Sequence, residues 1–386
     1  MTGNTSPRTA NPSVKATSPT PHIVIAPDSF KGRASAQEAA AYLGEGVRAV
    51  LPDAEITLAP MADGGEGTSA AFSGRTITLP TTDAAGRLTE ASYRYDDASA
   101  TAYIDVAAAS GLPAVSDRPV PLTGDTYGTG VLIADAQTRG ARTITLALGG
   151  TATIDGGTGI LVALGATPLD PRGYAVPKGG GYLSAIRDID TAQLNIPAAA
   201  SEWVLLCDVR SPATGPEGAA AVFGPQKGAE PEDVEILDQG LTHLCELLEV
   251  DPTTPGMGAA GGLGIGLTWL SRTLHGDDSH VRLLPGAPVV AASLGLPELI
   301  EQADLAITGE GRLDEQSTRG KVVGTILDLA RPHRTPVAVA TGSVAGEVPP
   351  GASLTLLADN PDDRTQLIDA GRRIAQDYLR TSTVQG

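Results

Sequence analysis

At 386 residues the chain is long for one hydrophobic core, so two domains are expected. A formal net charge of −18 argues against a nucleic-acid surface, which needs a basic stripe, and no run of about 18 apolar residues offers a membrane span. Cys207 and Cys245 are too few for a disulfide framework and read as buried thiols of a cytoplasmic protein, while 47 glycines and 3% aromatic residues describe a loop-rich α/β chain.

Residues 1–21 lack the apolar stretch of a signal peptide and are expected to be a disordered extension. His22 to Ala26 is the first strand. PDSFKGR follows, and Ser35 then opens a helix to about Val50, with Glu38 at the capping-box spacing. Glu55 to Ala59 is the second strand and delivers PMADGGEGT, which completes a right-handed βαβ unit. From Arg75 to Ala107 short alternating runs separated by turn residues favour an antiparallel or mixed sheet, hence a second domain.

A helix near Asp125 to Thr138 leads to the strand Thr143 to Leu148 and the segment GGTATIDGGTG. There Asp155 suits a helix N-cap as well as it suits a ligand. The strand Trp203 to Val209 contains Asp208, and FGPQKGA then precedes a helix over Glu230 to Leu248 with leucines at three- and four-residue spacing. Gly256 to Leu270 reads as a loop entering a small-residue helix. A helical region follows near Ala287 to Gln302, and then the stretch LAITGEGRLDEQSTRGK, Leu305 to Lys321. Its apolar run is a short strand that stops in glycine, and Glu310, Arg312, Asp314, Arg319 and Lys321 crowd both signs of charge behind it. A helix over Lys321 to Ala330, strands Pro336 to Ala340 and Ser353 to Leu357, and a helix over Asp362 to Leu379 close the chain.

Asp28, Asp63, Asp208 and the pair Glu310 and Asp314 thus lie at or just past predicted strand ends. In open α/β sheets ligands bind in the crevice outside those ends. Carboxylates converging there with Lys31, Lys227 and Lys321 suit Mg²⁺ and phosphate, because Mg²⁺ takes one or two carboxylates plus phosphate oxygens, and lysines offset phosphoryl charge. Each of these aspartates equally suits a turn, and each lysine a solvated surface. No GxxxxGK[ST] loop or GxSxG elbow occurs, the glycines at 262–266 lack the preceding strand of a dinucleotide site, and five scattered histidines have no HExxH spacing.

Across roughly residues 22 to 380 the chain resembles the type I glycerate kinases, the bacterial glycerate 2-kinase family. The matching motifs are IAPDSFKG (25–32), ADGGEGT (62–68), VAAASGL (106–112), GTG (128–130), LGGTATIDGGTG (148–159), CDV (207–209), FGPQKGA (223–229), GAAGGLG (258–264), TGEGRLDEQS (308–317) and GK (320–321). The resemblance implies a kinase that uses ATP and Mg²⁺ to convert D-glycerate to 2-phosphoglycerate, acting as a monomer or homodimer on small molecules, with no nucleic-acid or membrane partner. It also implies two α/β domains: a flavodoxin-like parallel-sheet domain from residues 22–70 plus 265–386, formed by both ends of the chain, and an inserted mixed-sheet domain over 71–264.

By that resemblance Lys31, Asp63, Asp208 and Asp314 are expected in catalysis. Asp28, Ser29, Gly64, Gly65, Glu66, Lys227, Thr308, Gly309, Gly311 and Lys321 are expected to bind substrate or nucleotide, with Thr308 to Gly311 presenting backbone amides. Asp208, Glu310 and Asp314 are expected to bind the metal. The chain departs from the family where Thr126-Tyr127 replaces Ser-Arg and Ile154 replaces Asn. Losing a cation and an amide near the expected cleft leaves two other readings open, a kinase of another small hydroxy acid and a non-catalytic glycerate-binding regulator.

Overall fold

The computed structural model describes residues 20–314, 317, 320–346, 348–357 and 362–384, so most of the expected N-terminal extension and Arg319 lie outside the described residues. The chain opens with β1 (His22–Ile25), α1 (Ala36–Val50) and β2 (Glu55–Leu58). It continues through β3 (Arg75–Thr82), β4 (Leu88–Asp96), β5 (Thr101–Asp105), α2 (Ala107–Ser110), α3 (Tyr127–Thr138), β6 (Thr143–Ala147) and α4 (Thr158–Ala163). The antiparallel pair β7 (Thr167–Leu169) and β8 (Asp188–Asp190) precedes α5 (Ile196–Ala199), β9 (Glu202–Leu206), α6 (Ala219–Phe223), α7 (Pro231–Leu247), α8 (Leu263–His275) and β10 (Val281–Leu284). The last segment holds α9 (Gly286–Ser293), α10 (Leu296–Gln302), β11 (Leu305–Asp314), α11 (Val322–Ala330), β12 (Val337–Ala345), β13 (Ala352–Leu356) and α12 (Asp363–Val384).

These elements form a parallel sheet ordered β2-β1-β11-β12-β13 and a mixed sheet ordered β10-β9-β6-β5-β4-β3. Numbered within itself, the parallel sheet runs 2-1-3-4-5, the flavodoxin-like order with its switch point between β1 and β11. Alternation along the strands covers both faces. Ile23, Ile25, Leu305 and Ile307 pack under α1 and α12, whereas Val24, Ala306, Val337 and Val339 pack under α9, α10 and α11. Burying each of these larger side chains contributes about 1.5–3 kcal/mol, which explains why the strands read as apolar runs. The predicted capping box fixes the start of α1: Ser35 Oγ accepts from Glu38 N, and Glu38 Oε2 accepts from Ser35 N.

In the mixed sheet β3, β4 and β5 are antiparallel and β5, β6, β9 and β10 are parallel. Fully buried Trp203, Leu146, Ile160, Leu241 and Leu263 belong to its core. Residues 265–284, expected with the parallel-sheet domain, belong here instead. β10 hydrogen-bonds to β9, and Ile265, Leu267 and Leu270 of α8 are buried in the mixed-sheet core. A run as short as Val281–Leu284 carries no sequence mark of which sheet edge it joins.

A second difference concerns β11. Its expected stop after Ile307 does not occur, because pairing with β12 continues from Glu310 opposite Thr341 to Asp314 opposite Ala345. Gly309 serves close packing there and not a turn: a Cβ on it would lie 2.3 Å from Ala340 O. Among the described residues no helix is long and apolar enough to cross a membrane.

Candidate active site

The C-terminal ends of β1 and β2 face the end of β9 across an open cleft of about 920 Å³, lined by Asp28, Ser29, Lys31, Asp63, Gly65, Glu66 and Asp208. The return from β1 is held by Asp28 N, which donates to Gly309 O at 2.9 Å, and by a tight turn in which Phe30 bridges Ala34 and carries Lys31. The return from β2 is held from the opposite sheet. Gly64 O accepts from Gly149 N at 2.9 Å, and Asp105, at the end of β5, accepts from Gly67 N, Ser69 N and Ser69 Oγ. The mixed sheet therefore shapes a loop of the parallel one.

Lys321, the residue before α11, places its ammonium 3.1 Å from Asp208 Oδ2 and 3.7 Å from Asp63 Oδ2. Burial works against its charge, yet Asp208 and Asp63 outweigh burial and hold it protonated more firmly than an ordinary lysine. The carboxylates carry the opposite strain. Burial, with Asp63 and Glu310 as neighbours, pushes Asp28 up to about 7, although the Ser29 amide and Lys31 pull the other way. Burial and Asp208 raise Asp63, and burial raises Glu310, whose Oε1 is buried and has no hydrogen-bond partner among the described residues. Negative charge is thus in excess at this point even with two lysines present.

Of the other expected site residues, Gly311 lies against Lys31, 3.6 Å from its amide nitrogen to a Cβ built on the glycine. Thr308 and Gly309 do not open onto the cleft. Thr308 Oγ1 donates to Ala26 O at 2.9 Å, Gly309 O accepts from Asp28 N, and the ladder with β12 runs through both, so the expected amide-presenting loop at 308–311 is a buried strand. Asp314 accepts from Ser317 N at 3.3 Å while its own amide donates to Ser317 Oγ at 3.0 Å, which turns it into the loop after β11. Among the described residues no three His, Cys, Asp or Glu side chains are grouped to hold a metal ion by themselves, so the expected trio Asp208, Glu310 and Asp314 is not assembled as such a site.

Lys227 stands apart, at a side pocket of about 90 Å³ that shares Gly149, Gly150 and Asp208 with the cleft. Asp155 is structural. Its buried carboxylate accepts from Thr126 N, Thr126 Oγ1, Gly157 N and Gly159 N, which joins the starts of α3 and α4. Ile154 beside it is fully buried in the mixed-sheet core and touches no substrate space. Tyr127 lies under Lys178, whose ammonium is 4.1 Å from the ring centre and 3.2 Å from Asp125 Oδ2, so a cation returns near the position where the motif lost one. Both thiols are free; Cys245 is core, and Cys207, expected buried, is half-buried and lines the side pocket.

Sequence reading missed Arg33, Leu112, Pro113, Gly149 and Gly150 as cleft-lining residues and Asp105 as the anchor of the ADGGEGT loop. The glycine pair carried a usable signal, since it directly follows a strand. Asp105, inside an alternating strand, carried none.

Residues 23–359 match the model of the Glycerate kinase family. The glycerate kinase of Bacillus subtilis (strain 168) is 40% identical over 334 residues, 84% of this chain and 85% of that protein. The glycerate 2-kinase of Escherichia coli K12 is 40% identical over 336 residues, 84% and 86% of the two chains. A crystal structure from Salmonella typhimurium LT2, of a protein assigned as glycerate kinase 2, superposes with a TM-score of 0.77 at 35% identity and covers 94% of this chain and 100% of its own. With the parallel sheet, the mixed sheet and the acidic cleft between their strand ends, the sequence match leads to one placement: the chain belongs to the glycerate kinase family.

Proposed function

We propose that the protein transfers the γ-phosphoryl group of ATP to the C2 hydroxyl of D-glycerate, giving 2-phosphoglycerate and ADP. The observation that carries this reading is the meeting of Asp28, Asp63, Asp208 and Glu310 with Lys31 and Lys321 where β1, β2, β9 and β11 converge. In that reaction the hydroxyl oxygen bonds to the γ-phosphorus, the bond from phosphorus to the β–γ bridging oxygen breaks, and ADP leaves. The hydroxyl proton goes to Asp28, whose carboxyl, pushed up to about 7, is matched to a general base at neutral pH. Lys31, which lines the cleft, offsets charge on the phosphoryl oxygens.

Mg²⁺ fits the donor set, because Glu310 offers a buried unpartnered oxygen and Asp63 a carboxylate held under excess negative charge. These two residues would hold the ion together with phosphate oxygens and water, the usual arrangement for this metal. An ion held there would offset charge on the phosphate oxygens. Asp208 is balanced by Lys321 and serves to position it. The burial of Ile154 in the core and the Lys178 cation beside Tyr127 support glycerate over another hydroxy acid.

The test is a coupled ADP assay with D-glycerate and MgATP, followed by phosphorus NMR of the product. ADP formation dependent on glycerate with a C2 phosphate ester is the expected result. A C3 ester would reassign the acceptor hydroxyl, and binding of glycerate without turnover would leave the regulator reading standing.

A further inference from the structure

The side pocket beside the cleft has a polar floor and no role in the phosphoryl-transfer steps above. Lys227 is 4% exposed. Its ammonium group donates to Thr153 O at 2.7 Å and to Thr151 Oγ1 at 3.2 Å. A lysine ammonium has three donors, so one N–H is left over, and among the described residues no carboxylate pairs with it. Gln226, Phe223, Cys207 and Ala260 line the rest of this space of about 90 Å³. Asp208, Gly149 and Gly150 line both the pocket and the cleft, so the two spaces adjoin at these residues. Lys321 at 3.1 Å offsets part of the Asp208 charge that an anion in the pocket would meet.

We propose that this pocket is the acid subsite of the enzyme, in which Lys227 pairs with the carboxylate of a short 2-hydroxy acid while the neighbouring hydroxyl points past Asp208 into the cleft. The inference rests on the proposed function and adds where the acid end of the substrate sits and why the acceptor is small. It carries a proton linkage. Burial holds the free Lys227 amine down at about 7, and the Asp155 charge only partly restores it. The other titratable groups facing the pocket are Cys207, which burial and Asp208 push up to about 11 and so keep a neutral thiol, and Asp208 itself. Above pH 7 binding of a carboxylate is therefore coupled to uptake of one proton from solvent by Lys227, and affinity for glycerate falls as pH rises.

Calorimetry of D-glycerate binding to the full-length protein, in buffers of different ionisation enthalpy at pH 8, reads this directly and needs no turnover. The expected result is uptake of close to one proton, with affinity weakening about tenfold per pH unit above the free amine's range. In Lys227→Met the proton uptake disappears and glycerate affinity drops roughly 100-fold, the size expected for losing one partner of a buried charge pair, while MgADP affinity changes less than about threefold. Loss of MgADP affinity instead would assign the pocket to the nucleotide and overturn the proposal. If the variant does not fold, wild-type protein decides: phosphorylation of glycerol, which keeps the hydroxyls without the carboxylate, at a rate near that of glycerate sinks the acid subsite. Wild-type protein that binds glycerate with proton uptake but turns nothing over keeps the subsite and removes the kinase reading.

Discussion

The Lys321 ammonium lies 3.1 Å from the Asp208 carboxylate, so the residue that opens α11 on the parallel sheet is paired to a residue two positions past the end of β9 on the mixed sheet. The pair crosses the cleft and is largely shielded, Lys321 being 24% and Asp208 21% exposed at the side chain. Removing the cation leaves Asp63 and Asp208 facing each other without compensation, and burial with Asp208 already raises Asp63. Lys321→Met is expected to lower kcat by roughly 100-fold or more, by analogy with removing one preorganised electrostatic partner. Steady-state kinetics with saturating MgATP checks it, and circular dichroism confirms that the fold survives.

Asp28 should show in the pH profile. Its folded value of about 7 lies above the ordinary aspartate value of 3.8, so the folded protein holds this proton between those values while the unfolded chain does not. Stability contributed by the group is therefore full at low pH and is lost as pH rises through about 7, the reverse of a salt-bridged aspartate. Activity runs the other way, since the base must be unprotonated. Wild-type kcat should climb as Asp28 loses its proton, at or below about pH 7, because Mg²⁺ held by Asp63 and Glu310 would offset two of the charges that raise it. Asp28→Asn should lose that limb and fall by ~10²–10⁴ in kcat. The same variant should gain on the order of 2 kcal/mol at pH 8, read as a higher urea midpoint.

Asp155 separates structure from chemistry. Replacing a buried carboxylate that accepts from Thr126, Gly157 and Gly159 leaves those donors without partners at the starts of α3 and α4. Asp155→Ala is expected to cost about 3 kcal/mol or more in urea unfolding. The glycerate KM of the folded protein should shift in the direction set by Lys227, whose proton Asp155 helps to hold.

Much of the site is legible from strand ends alone. Asp28, Asp63 and Asp208 each follow a short apolar run, and chain geometry delivers such residues to the C-terminal rims of parallel strands, here on two sheets that face one cleft. Three features escape that logic. Gly309 and Gly311 read as a turn because glycine permits one, yet Gly309 is needed for close approach to Ala340 within a continuing strand. Ile154 interrupts a polar motif, and only tertiary packing shows that it faces the core. β10 is too short for periodicity to say that its partner is β9. Lys227 and Lys321 look alike as strand-to-helix lysines, but one spans two carboxylates and the other sits on a carbonyl and a hydroxyl, a difference set by residues far away in sequence.

Gly64 tests how tightly the two sheets must meet at the cleft. It holds φ at +103°, and a Cβ there would lie 2.9 Å from Leu206 O, the last carbonyl of β9. Neither the backbone angle nor the clash can relax without moving the loop that carries Asp63, because Gly64 O also accepts from Gly149 N. Gly67, three residues on, has φ of +85° but nothing within 4 Å of its Cβ position. Gly67→Ala therefore meets only the backbone cost of ~1–2 kcal/mol. Gly64→Ala meets that cost plus displacement of β9 against the Asp63 loop, and is expected to lose roughly 3 kcal/mol or more. Its kcat should fall at least tenfold with circular dichroism unchanged, since Asp63, Asp208 and Lys321 can no longer keep their spacing. Equal kinetics in the two alanine variants would show that the cleft tolerates a looser junction between β9 and the Asp63 loop than this contact implies.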